Sequence, residues 1–291
     1  MNNMQPTKRT TLLHEARSLL FVPGNRPERF AKALGAGADL VCVDLEDAVP
    51  PSERPAARLA LLSFLQALPP GHRCGVRISR LTQADGLRDL LALHDGGVQL
   101  PDAARSVIPA FVMLAKTESA VEVQIAAAHL PGVPLMALLE NARGLQSAST
   151  IASAHPQLQA LMFGGADLAA DLGCSFTWEP LLHARCTLVA AAAAAGLAAF
   201  DVPWLDVADP SGARGEASRA AALGFTAKAL IHPAQVDPVH LGLAPAEHAL
   251  ASARRIVAAC TSDDAAVLLD GRLVDRPVVL AAQRLLRRAG A

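Results

Sequence analysis

The stretch "DLVCVDLEDAVPP", residues 39–51, decides the reading of the fold. It begins as a greasy run suited to a buried strand and ends on Asp44, Glu46 and Asp47. Side chains alternate along a strand, so Cys42, Asp44 and Glu46 share one side while Val41, Val43 and Leu45 share the other. The apolar set belongs against a helical shell, which points Asp44 and Glu46 inward at the strand's C-terminal end. Carboxylates crowded there repel one another and lose hydration, so they require a cation, hydrogen-bond donors or a task.

Working outward, short apolar runs recur along the chain: "RSLLFVP", "CGVRIS", "AFVMLAK", "PLMALLE", "LQALMFG", "AAFDVPW" and "AKALIHP" join "DLVCVDLE" as candidate strands. Helical segments lie between them, among them "PERFAKALGAGA", "PAARLALLSFLQAL", "SAVEVQIAAAHL", "LLHARCTLVAAAAAAG" and "ARGEASRAAALG", several closing on a glycine suited to a helix C-terminus. This alternation predicts a closed (β/α)8 TIM barrel ahead of an open doubly wound sheet. The expected layout is an N-terminal arm over 1–16, the barrel over 17–245 and a C-terminal hairpin-helix extension over 246–291. In that extension Asp270-Gly271, between two apolar pairs, reads as a tight hairpin turn, and the last segment as an amphipathic helix.

Bulk composition narrows the partners. Lys plus Arg number 26 against 27 Asp plus Glu, so no basic field exists to hold nucleic acid or an anionic membrane. The five cysteines show no CxxC spacing, the start of the chain lacks a signal-peptide pattern, and the apolar run "LVAAAAAAGLAAF" is too short to span a bilayer. A soluble cytoplasmic protein acting on a small molecule is expected.

The parity argument gathers chemistry at several strand ends. Arg77 and Ser79 share a side of "VRIS", and Met136, Leu138 and Glu140 share a side of "PLMALLE". Gly164 and Gly165 in "MFGGADLAADLG" let backbone approach a ligand, and Asp167 follows in the loop. A few oxygen ligands completed by water suit a hard cation such as magnesium, with Glu140 and Asp167 as ligands and Asp44 and Glu46 holding its waters. Arg77 would then grip a substrate carboxylate bidentately. Taken singly, an acid at a strand end is more often a cap or an ion-pair partner. Asp47 reads as a cap or loop hydrogen-bonding residue, and Asp171 and Glu179 as solvated or capping. Lys116 reads as an ion-pair partner or a Schiff-base lysine, and His232 as structural or a modest ligand contact.

Taken together, "RSLLFVPGNRPERFAKALGAGADLVCVDLEDAV", "VRIS", "MLAKTES", "LLENARG", "MFGGADLAADLG", "AKALIHPAQV" and "DGRLVDRPV" resemble, in order and spacing, the citrate lyase beta subunit and its malyl-, citramalyl- and citryl-thioester lyase relatives. The resemblance implies a magnesium-dependent barrel, assembled as a homotrimer or hexamer, whose C-terminal tail reaches a neighbouring protomer's site. It implies that Glu140 and Asp167 are the magnesium ligands, Arg77 the substrate-binding arginine, Asp44 and Glu46 acids around the metal, and Asp275 in "LVDRPV" the aspartate delivered to the adjacent protomer. Three positions depart from the family pattern: Asn141 stands for a usual threonine, Ala115 for a proline and Ser79 for an asparagine. None of these removes a charged group.

The implied reaction is retro-Claisen cleavage of a 3-hydroxy-3-carboxyacyl-CoA to acetyl-CoA and a 2-keto acid, with citramalyl-CoA leading and malyl-CoA and citryl-CoA behind it. Asp275 is expected to transfer the proton, and Arg77 with the Gly164 and Gly165 amides to hold the keto-acid carboxylate. Rival readings are a citrate lyase subunit acting on a citryl group borne by an acyl-carrier protein, a thioester hydrolase, a Lys116-dependent keto-acid aldolase, and a barrel that binds without catalysing.

Overall fold

A computed structural model describes residues 12–98, 108–259 and 266–289. Eight parallel strands form a closed barrel in sequence order: β1 (Ser18–Pro23), β2 (Leu40–Asp44), β3 (Cys74–Ile78), β4 (Val112–Leu114), β5 (Leu135–Leu139), β6 (Leu158–Phe163), β7 (Ala198–Asp201) and β8 (Ala227–Leu230). Closure comes from β8 pairing with β1, Leu230 opposite Leu20. The expected TIM barrel is therefore the observed one, and each predicted strand segment contains one of these strands.

The interior is a dry plug of alternating strand residues: Leu19 from β1, Leu40 and Cys42 from β2, Met113 from β4, Met136 and Leu138 from β5, Met162 from β6 and Phe200 from β7. Small residues at Ala160, Ala198, Ala227 and Ala229 leave room for Met and Phe opposite them, as interdigitation at interior packing density requires. Val41 and Val43, of opposite parity, are equally buried, on the helix-facing side. The short helix Leu12–Glu15 adds Leu13, and the residue after it Ala16, to the same plug, although the sequence assigns 12–16 to an arm. Apolar demand at the barrel floor recruits these residues.

With the interior filled by carbon, Asp44, Arg77 and Glu140 stand at or next to the C-terminal ends of their strands. The register sets Asp44 opposite Arg77 at the C-terminal ends of β2 and β3. Glu140 directly follows β5, and Asp167 lies in the first turn of the helix Gly165–Leu172 that follows β6.

The chain divides into two compact units, the second beginning at Leu243. That unit contains the helix Glu247–Ala259, a hairpin of β9 (Ala266–Leu269) and β10 (Arg272–Asp275), and the helix Arg276–Ala289. Asp270 and Gly271 take φ of 52° and 75°, the two left-handed positions that a type I′ turn demands, so the hairpin lies where Asp-Gly predicts it. No described helix is long and apolar enough to cross a membrane.

Candidate active site

Asp44 is built as a holder of Arg77. Its Oδ1 accepts from Arg77 Nε at 2.7 Å and its Oδ2 from Arg77 Nη2 at 2.6 Å, and the backbone amides of Glu46 and Ala48 complete its shell at 3.0 Å each. The bidentate side edge of Arg77 is thus spent on Asp44, which leaves its outer edge for a ligand. Arg77 Nη1 faces Glu46 Oε2 at 3.5 Å, and the guanidinium lies 5.0 Å from the Phe21 ring centroid. Burial works against the charge on Arg77, but Asp44, Glu46 and Glu140 outweigh it and hold the proton more firmly than usual.

Lys116 ties the next group together. Its backbone N–H donates to Glu140 Oε1 at 2.6 Å, a direction made possible by a left-handed φ of 50°, uncommon for a residue with a side chain. Its Nζ donates to Glu46 Oε1 and brackets Asp47 at 2.9 and 3.1 Å. Burial opposes the lysine charge, yet these hydrogen bonds to Glu46 and Asp47 win and its proton is held above the ordinary lysine range. Burial pushes Glu46 up, whereas at Asp47 the hydrogen bonds from Lys116 overcome burial and hold the carboxyl below its usual value.

Glu140 is 2% exposed. Its pKa is pushed to about 8, first by burial and then by Glu46 and Asp167, with Arg77 and Lys116 opposing. Gly164 makes its placement possible: a Cβ there would stand 2.2 Å from Glu140 Cβ. Carboxylate oxygens of Asp47, Glu140 and Asp167 lie within 4.8 Å of one another. Hard oxygen donors converging from three elements, one of them buried and ionised only at a cost, fit a small divalent cation that would supply the missing positive charge.

Two cavities meet at this cluster, since both are lined by Glu140 and Asp167. The inner one, about 260 Å³, is walled by Phe21, Leu138, Met162, Val202, Leu205 and Ile231, with Arg77 as its cation. The outer one, about 770 Å³, is polar and lined by Arg80, Lys116, Glu118, Asn141, Arg143 and Asp171 among others.

Several sequence expectations change here. Asp47 takes the loop hydrogen-bonding role and not that of a cap: its carboxylate is both the acceptor of Lys116 and a corner of the triad. The amide of Gly164 donates to Leu139 O at 2.9 Å and is not free for a substrate. Gly165 packs against Phe163 and Phe176 outside the inner cavity's lining, where Ala166 takes its place. Ser79 turns its hydroxyl to Leu45 O at 3.3 Å, and Asn141 caps the helix Ala142–Gln146 while donating to Glu118. Asp171 accepts from the Ala142 amide, Glu179 pairs with Arg219, and His232 caps the turn Pro233–Gln235, as structural readings expect. Asp275 lies in the second unit, where its Oδ1 accepts from Val278 N at 3.3 Å.

Residues 17–233 match the model of the HpcH/HpaI aldolase/citrate lyase family. The chain belongs to this family. A (3S)-malyl-CoA thioesterase of Cereibacter sphaeroides is 32% identical over 96% of each chain. An L-malyl-CoA/beta-methylmalyl-CoA lyase of Rhodobacter capsulatus is also 32% identical, over 94% of each. Among solved structures, CitE of Mycobacterium tuberculosis in complex with magnesium, acetoacetate and coenzyme A superposes with a TM-score of 0.80 at 40% identity, covering 95% of this chain and 98% of that one. Membership in this family makes the chain an enzyme of the lyase class.

Proposed function

We propose that the chain is a magnesium-dependent lyase that cleaves a 3-hydroxy-3-carboxyacyl-CoA to acetyl-CoA and a 2-keto acid, with citramalyl-CoA as its lead substrate. The observation that carries this is the junction itself: a triad of carboxylates and an arginine pinned by Asp44, set between a small apolar cavity and a wide polar one. The inner cavity takes the keto-acid end. Its wall offers a methyl group apolar contact, and Arg77, already shared with Asp44 and Glu46, is the one cation lining it among the described residues. A second carboxylate, as in a citryl group, would be buried there without a partner, which costs far more than a methyl gains.

Asp47, Glu140 and Asp167 would hold the magnesium ion, which supplies Lewis acidity to the substrate hydroxyl and carboxylate when bound. Arg77 orients the keto-acid carboxylate through its outer guanidinium edge. In the reaction the hydroxyl passes its proton to the Asp275 carboxylate, its oxygen becomes the keto oxygen, and the bond to the thioester α-carbon breaks with its electron pair moving into a thioester enolate. A proton returned to that carbon gives acetyl-CoA, and Asp275 from a neighbouring copy in a homotrimer or hexamer is the proposed donor. The enzyme acts in the cytoplasm on this reading.

A hydrolase reading has a specific support, the thioesterase relative, and differs only in what attacks the thioester. The Schiff-base reading has the geometry against it: a nucleophilic lysine must lose its proton, and Glu46 and Asp47 hold that of Lys116. A carrier-protein substrate would share the same inner cavity and differ at the outer one. The deciding experiment incubates metal-stripped protein with citramalyl-, malyl- and citryl-CoA, with and without magnesium. Keto acid with acetyl-CoA is expected only with magnesium, pyruvate from citramalyl-CoA forming faster than glyoxylate from malyl-CoA or oxaloacetate from citryl-CoA. Free acyl acid with CoA would establish the hydrolase, and equal rates from citryl-CoA would overturn the reading of the inner wall.

A further inference from the structure

Asp47 belongs to two sets at once. With Glu46 it brackets the Lys116 ammonium, and with Glu140 and Asp167 it completes the triad within 4.8 Å. One carboxylate cannot serve an ammonium with both oxygens and a divalent cation at full strength. We propose that Lys116 is an exchangeable counter-ion, a positioning residue that competes with the cation for Asp47 and yields it on binding. This rests on the metal reading above.

The parts are arranged for such an exchange. The Lys116 backbone is anchored, because its N–H holds Glu140 Oε1 and its left-handed φ fixes the direction. Its side chain is the movable part, 25% exposed at the edge of the outer cavity, with Glu46 at 6% exposure as a fixed partner it keeps. The Asp47 side chain is 49% exposed and therefore free to turn between partners. The Lys116 ammonium repels any cation held by the triad, and its removal sharpens the triad's negative field.

The test is calorimetric titration of metal-stripped protein with magnesium chloride, paired with melting temperatures in EDTA and in saturating magnesium. Lys116→Met is expected to bind magnesium about tenfold more tightly than wild type. It should melt lower in EDTA and recover more on adding magnesium, because the carboxylates lose their internal cation. Lys116→Asn, whose residue type tolerates the left-handed backbone, should show the same gain and guards against strain in the first variant. Lys116→Arg, which keeps the charge, should stay within about twofold of wild type. Weaker or unchanged magnesium binding in both neutral variants overturns the exchange. Wild-type protein that binds no magnesium would remove the metal reading itself, and the exchange with it, before any variant is made.

Discussion

Replacing Glu140 by Gln should make the metal-free protein more stable, and only at high pH. The carboxyl is raised from an ordinary 4.5 to about 8, so between those values the unfolded chain gives up a proton that the folded protein keeps. Stability therefore falls as pH rises through that window and stays low above it. At about 1.4 kcal/mol per pH unit the full gap is roughly 4–5 kcal/mol, and relaxation with water entry at the mouth reduces this to about 2 kcal/mol. Gln keeps an oxygen for the Lys116 N–H and carries no charge to bury. Melting curves in EDTA should place Glu140→Gln near wild type at pH 5 and about 4 °C or more above it at pH 9. The variant should also lose magnesium-dependent turnover and the rise in melting temperature that magnesium gives wild type. A gain of equal size at both pH values, or none at pH 9, would refute the claim that the cluster strains against its own charge.

Other perturbations separate the roles of neighbouring groups. Asp44→Ala removes the acceptor of a buried pair, so it should cost about 3 kcal/mol in denaturant unfolding and raise KM for the acyl-CoA while leaving magnesium affinity within a fewfold. Gly164→Ala places a methyl against Glu140 and should weaken magnesium binding at least tenfold by calorimetry, with the far-ultraviolet dichroism of the barrel retained. Asp275→Asn should lower kcat about a hundredfold with magnesium affinity unchanged. Oligomers mixed from Asp275→Asn and Glu140→Gln chains should regain activity, and mixtures that stay dead would sink the shared-site proposal.

The barrel was legible because its signals are local and repeated: greasy runs such as 40–43 and 135–139 alternate with helices, and Asp270-Gly271 states its turn directly. Strand parity also set Asp44 and Arg77 among the groups gathered near strand ends, and the register of β2 and β3 then puts them opposite each other. Loop geometry carried no such period. Asp47 lies beyond the end of β2, where alternation stops, so its turn toward Lys116 and Glu140 could not be read. Nor could the left-handed backbone of Lys116, which sterics disfavour for that residue type and only the surrounding contacts impose. The Gly164 amide was hidden for a similar reason, although the residue does line the inner cavity. A glycine pair before a helix suggests free amides, but one amide was needed by the Leu139 carbonyl to close the β5 to β6 connection.

A second ionic cluster in the same barrel shows why the first one is the functional candidate. Arg185 Nε pairs with Asp201 Oδ1 at 3.0 Å, and Lys228 Nζ joins Asp201 Oδ2 at 2.8 Å and Glu216 at 2.7 Å. Two cations there meet two anions, and the Val202 carbonyl takes a further lysine hydrogen at 2.6 Å. Counted by formal charge that network is balanced. At the mouth, Asp44, Glu46, Asp47, Glu140 and Asp167 face Arg77 and Lys116, and Glu140 is raised first by burial and then by its neighbours Glu46 and Asp167. A fold tolerates a charge deficit of that kind only where a ligand makes it good or the carboxyl keeps its proton. The two outcomes separate in one titration: magnesium binding should release protons from wild type near pH 7, and Glu140→Gln should abolish that release.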